Sequence, residues 1–122
     1  GMDGHLAYPP AEEETKEETK KAVVDAVHKV ARRIFDPVVR REFLEELYTS
    51  RGVATAADQQ NQINRLGDAL RERFHSRFMA FYNGARLDVN VFQDGEADDY
   101  IRGVDWYRSS LEEEGIKMLL SS

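Results

Sequence analysis

Two of the three histidines stand three residues after a carboxylate, in Asp25-Ala-Val-His28 and Glu72-Arg-Phe-His75. On a helix, residues three apart lie on the same side, so each pair offers an oxygen and an imidazole nitrogen to one point. That donor set suits a first-row divalent ion such as iron, manganese or zinc. His28 shares its side with Val24, Ala31 and Phe35, while Asp25 falls near Lys21 and Arg32. His75 aligns with Arg71, Phe78 and Tyr82, and Glu72 with Asp68 and Met79. Both pairs therefore border an apolar stripe. The competing reading is two boundary histidines with ordinary hydrogen bonds.

Two such pairs on facing helices, completed by carboxylates from two others, form the layout of ferritin-like di-metal bundles. Here the further ligands would come from Glu42, Glu45 or Glu46, and from Asp99 or Asp105. Only the spacing matches, and the first pair has Asp where that class uses Glu. No family is assigned on it.

Two other groups can carry recognition. Lys29, Arg32, Arg33, Arg40 and Arg41 cluster in sequence, and Arg65, Arg71, Arg73 and Arg77 follow later. Arginine forks suit phosphates and carboxylates, but the chain carries a formal charge of −6, which argues against nucleic acid as the partner. Aromatic residues at helical spacing, including Phe74, Phe78, Phe81 and Tyr107, read as core. Trp106 lies well round its helix from the inward Val104, the placement of an interface or core-edge tryptophan. Gly67, Phe78, Tyr82, Trp106 and Tyr107 are accordingly the candidate contact residues for a second copy or another protein. There is no GxGxxG or P-loop, and Gly95 is misplaced for an EF-hand. No Ser–His–acid arrangement can be argued from spacing, and no catalysis is expected.

The elements that hold these residues are helical. Val23, Val27, Val30 and Ile34 form one stripe, preceded by the polar run 11–21, which reads as the solvated first turns of helix 1. Asp36 is a natural N-cap and Pro37 fits the first position of helix 2. That helix runs to about Ser50, with Val39, Phe43 and Leu47 in a stripe, and Gly52 closes it. The run from Thr55 to Ala85 places Ile63, Leu66, Leu70, Phe74, Phe78 and Phe81 on one face. It has Thr55 as its candidate cap and an amide-rich first half. Gly67 within it costs about 1 kcal/mol against Ala, for which close approach of another helix is the natural compensation. Leu87 to Val91 alternates apolar and polar residues, as a short strand or an extended crossing segment does. A fourth helix follows from about Glu96, ending at Gly115 or continuing through Met118. The joints are tight, which favours an up-down order for helices 1 to 3.

The chain has 122 residues, no cysteine, 41% hydrophobic and 33% charged residues. These values predict one all-α domain over 11–122, an up-down bundle of about four helices with a long third helix. Residues 1–10 form a flexible lead in which Gly1, ahead of Met2, reads as a tag remnant. Disulfides and thiolate metal sites are excluded. No run is apolar enough to span a bilayer, and no signal segment opens the chain, so a cytoplasmic location is expected. Residues 29–86 hold eleven Lys/Arg against seven Asp/Glu, whereas 87–122 hold three against nine. Acidic ends folded onto a basic middle explain this without a partner. The functional expectation is a small interaction or regulatory protein, homodimeric through the third helix and the Trp106 region, with no cofactor. The alternative is the di-metal bundle.

Overall fold

The structure is a computed structural model that describes residues 2–53 and 59–121, with side chains from Thr15 onward. It contains four helices: α1 (Met2–Phe35), α2 (Pro37–Ser50), α3 (Gln60–Gly84) and α4 (Glu96–Ser121). The all-α bundle expected from the periodicities is present. The proposed Thr55 cap lies outside the described residues, and residues 2–10, expected as a flexible lead, are the first turns of α1.

The joint between α1 and α2 is a single extended residue, Asp36 (φ −89°, ψ 115°). Its Oδ1 accepts from the Val38 and Val39 N–H groups at 2.9 and 3.1 Å. These N–H groups would otherwise have continued α1 by bonding the carbonyls of Ile34 and Phe35. The freed Ile34 carbonyl is taken by the buried Arg40, whose Nη1 donates to it at 2.7 Å. Arg40 lies against Gly67 of α3. A Cβ added at Gly67 would stand 3.0 Å from the Arg40 Nε. The close approach that Gly67 permits is thus made by an arginine side chain.

Contact order fixes the chain directions. His28 meets Tyr82, and Phe35 meets His75 and Phe78. Arg40 then meets Gly67 and Asp68, and Tyr48 and Val53 lie by Ile63 and Leu66. As α1 and α2 advance, α3 is traversed backwards throughout. The joint at Asp36 is therefore a bend, and α1 and α2 together run along α3, α1 on its second half and α2 on its first. α4 returns against α3, with Phe81 beside Tyr100 and Phe74 beside Tyr107.

The core is close to the set read from periodicity: Val23, Val27, Val30 and Ile34 from α1, Ile63, Leu70, Phe74 and Phe78 from α3, and Val104, Tyr107, Leu111 and Met118 from α4. In α2 the deepest positions are Leu44 and Tyr48. Gly115 does not end α4. It lies under Leu44 and Leu47, and its carbonyl accepts from the Tyr48 hydroxyl at 3.1 Å.

Residues 87–91 form turns and bends, and no strand occurs among the described residues. The alternation still has a physical meaning: Leu87, Val89 and Val91 are half-buried while Asp88 and Asn90 are exposed. With no neighbouring strand, the link's carbonyls take a side-chain donor instead. Lys20 Nζ donates to the Leu87 carbonyl at 3.0 Å and to the Val89 carbonyl, and stands 5.1 Å from the Phe92 ring centre. Lys20 belongs to the polar run expected to be solvated, yet it is buried. It sits three residues before Val23, on the inward stripe.

Charges from the acidic last third meet the basic middle, in the pairs Arg73–Glu114 and Arg86–Glu96. This is the arrangement in which one end folds onto the middle.

Two stability experiments follow from this packing. Arg40→Ala strands the Ile34 carbonyl and removes a buried aliphatic stem, for an expected loss of about 2–4 kcal/mol. Asp68, which is 74% exposed, contributes little, so Asp68→Asn should cost less than about 1 kcal/mol. Urea unfolding of both variants measures the contrast, and equal losses would assign the stabilisation to the ion pair instead. At Gly103, an added Cβ would lie 2.4 Å from Phe81 Cε1. The Phe81 ring is held by Phe78, Tyr100 and Tyr107 and has little room to move. Gly103→Ala should lose about 1–3 kcal/mol by overpacking, although alanine favours the helix. Gly84→Ala, with nothing within 4 Å of its Cβ, is the matched control and should lose nothing.

Candidate functional site

The antiparallel pairing of α1 and α3 decides where the candidate metal ligands go. His28 faces Tyr82 at one level, with Nε2 3.2 Å from the Tyr82 hydroxyl and the rings stacked at 6.0 Å. His75 lies at the level of Phe35 and meets that ring edge-on at 5.4 Å. Seven residues separate the two levels, roughly 10 Å along the axis. A metal–nitrogen bond is about 2 Å long, so one ion cannot take both histidines. Asp25 and Glu72 are exposed. Among the described residues, no three His, Asp or Glu side chains converge on a metal position.

Of the candidate contact residues, Gly67, Phe78 and Tyr107 are buried within the chain itself. Gly67 is covered by Arg40. Phe78 and Tyr107 meet each other edge-on at 5.1 Å. They belong to the core because α4 covers the aromatic stripe of α3 along its length. Tyr82 is half-buried beside His28. Trp106 remains 43% exposed. It stands edge-on to Tyr107 at 5.0 Å, and Arg77 lies 4.1 Å from its ring centre. Cation–π contact and ring packing together hold the indole in one orientation at the surface.

Among the described residues, four surface cavities of similar size lie between the helices, beside a smaller one of about 50 Å³ at Tyr48, Ile63 and Leu66. One of about 310 Å³ adjoins Trp106 and is lined by Arg73, Arg77, Glu113, Glu114 and Lys117 among others. One of about 300 Å³ contains Arg40, Arg41 and Asp68. One of about 270 Å³ contains Arg33, Glu46 and Glu112. The fourth, about 260 Å³, lies between α1 and α3, with Arg32, His28 and Tyr82 around an apolar lining. Several of the basic residues are engaged within the chain. Arg33 lies over the Phe43 ring, Arg40 is buried, and Arg41, Arg73 and Arg86 have carboxylate partners.

Burial alters the acidity of two tyrosines. Burial pushes the Tyr48 phenol up to about 12. Burial also raises Tyr107, with the nearby Arg77 partly opposing it. Neither phenol is in position to exchange protons with an acid–base partner. Tyr48 donates to the Gly115 carbonyl, and Tyr107 donates to the Arg77 carbonyl at 3.0 Å. Both therefore act as buried donors that tie helices together.

Comparison of the chain with protein-family models, with curated proteins and with solved structures finds no match. The functional reading rests on the surface chemistry alone. None of the described helices is long and apolar enough to cross a membrane.

The Tyr48 environment sets an alkaline limit on stability. The phenol is favoured neutral in the folded chain, so its contribution is fully present below pH 10, the unfolded value, and is lost as pH rises towards 12. Urea unfolding measured across this range should show a stability that is constant below pH 10 and falls from there towards about pH 12. Tyr48→Phe should start about 1 kcal/mol lower through loss of the hydroxyl bond and fall less steeply. An unchanged slope in the variant would assign the alkaline loss to other groups.

Proposed function

We propose that the protein is a small interaction module that self-associates through the face of α3 and α4 around Trp106. The observation that carries this reading is an exposed tryptophan held in place by Arg77 and Tyr107. A large rigid aromatic side chain with fixed orientation contributes binding energy with little loss of conformational freedom, which is why tryptophan and arginine dominate contact hot spots.

A second copy is the partner that the surrounding charges favour. Within one cavity beside Trp106, Arg73, Arg77 and Lys117 lie next to Glu113 and Glu114. Arg73 and Lys117 pair with Glu114 within the chain, and across a twofold axis Arg77 of each copy can meet Glu113 of the other. A strongly one-signed patch would repel its own copy. Glu113 has no ion pair within the chain among the described residues, so its carboxylate is available to a partner's arginine.

Sedimentation velocity across a concentration series tests the reading. The chain should pass from monomer to dimer, and Trp106→Ala should weaken the dimer about 30-fold, or roughly 2 kcal/mol. Arg77→Glu should weaken it as well. A chain that stays monomeric at about 1 mM, or a Trp106→Ala variant that dimerises as tightly, would overturn the assignment.

A further inference from the structure

The cavity between α1 and α3 differs from the other three of its size in its charge balance. Each of the others sets carboxylates beside its cations: Asp68 by Arg40 and Arg41, Glu46 and Glu112 by Arg33, Glu113 and Glu114 by Arg73 and Arg77. The α1–α3 cavity has Arg32 at its rim and no carboxylate in its lining. Arg32 has no ion pair among the described residues. Asp36, one turn further on, has its Oδ1 committed to capping α2. On α3, His75 meets the Phe35 ring beside the groove and does not neutralise Arg32. Asp25 and Glu72 are the nearest carboxylates in sequence on the two helices, and both are exposed without an ion pair to Arg32.

The rest of the lining is apolar. Phe78 is fully buried and forms the floor, with Ala31, Phe35 and Met79 half-buried around it. The stacked and hydrogen-bonded His28 and Tyr82 lie at one end. The volume of about 260 Å³ exceeds the roughly 150 Å³ that accommodates a benzene molecule in an apolar cavity. Aromatic and thioether surface favours a ring as the occupant. Arg32 is the one guanidinium in the lining, and one guanidinium favours one negative charge, whereas a dianionic phosphate calls for more than one cation.

We propose that this groove binds a small aryl monocarboxylate, its ring on Phe35, Phe78 and Met79 and its carboxylate on the Arg32 guanidinium. The site is separate from the Trp106 face, so its success or failure is independent of self-association.

Phenylacetate and the neutral phenylacetamide are the probes, titrated into the full chain and followed by NMR at the Ala31 and Met79 methyl groups. Phenylacetate should produce saturable shifts centred on those two methyls, with a dissociation constant below about 1 mM. Phenylacetamide should bind at least about tenfold more weakly. Arg32→Gln, at an exposed position that leaves the core intact, should bring phenylacetate down to the affinity of the amide and leave the amide unchanged. Ala31→Leu, which fills the groove, should weaken both probes. Absence of saturable shifts at about 10 mM phenylacetate would overturn the proposal. Equal binding of acid and amide, or unaltered phenylacetate affinity in Arg32→Gln with the spectrum otherwise native, would overturn it too.

Discussion

The guanidinium of Arg40 sits where the chain changes course, and the arrangement of the helices depends on it. Asp36 takes the N–H groups of Val38 and Val39 and so breaks the ladder of α1. That break leaves the Ile34 carbonyl without its helical partner in the interior, and Arg40 supplies the donor from the next turn of chain. A buried cation is costly unless its donors are engaged. Here it bonds a carbonyl at the negative end of a helix, with Asp68 as a partly solvated counter-charge. The side chain needs room against α3, and Gly67 provides it. One cap, one arginine and one glycine thus hold α1 and α2 in sequence along a single long helix.

The far end of the bundle solves a related problem. The link from Ala85 to Phe92 forms turns and has no ladder to satisfy its carbonyls. Lys20 reaches up from α1 to bond two of them over the Phe92 ring. Between these polar anchors the core is aromatic. Phe74, Phe78, Phe81 and Tyr107 meet at tilted or edge-on angles, and Gly103 lets α4 approach close enough to cover them. Trp106 is the outermost ring of this cluster. Its orientation is therefore inherited from the core, and this gives an exposed indole the rigidity that contact surfaces use.

The placement of charge separates the surfaces by the chemistry open to them. Cations and carboxylates alternate around Trp106, the charge balance on which the proposed self-association rests. Where Arg32 stands alone above an apolar groove, the natural complement is a single anion with an apolar body. The two carboxylate–histidine pairs fall on opposite sides of that α1–α3 groove but at different levels. The same antiparallel register that builds the groove separates the histidines by about two helical turns.

The apolar faces of the four helices, the Asp36–Pro37 break, the Gly52 stop and most of the core were legible in the chain, because each follows from local chemistry: a period near 3.6, a cap, an imino ring, a residue without Cβ. The prominence of Trp106 and Gly67 was legible for the same reason. What the chain could not reveal was the direction of packing. The tight joints favoured a reversal at Asp36, and the order in which Phe35, Arg40 and Tyr48 meet α3 makes that joint a bend instead. That order took Phe78 and Tyr107 into the core, set His28 against Tyr82 rather than His75, and buried Lys20 beneath a link 67 residues away. Sequence alone determined which residues were able to face inward, since helical periodicity is a property of neighbours. The tertiary structure decided which of them meet, since that depends on the register between helices, where burial and hydrogen bonding act on residues far apart in the chain.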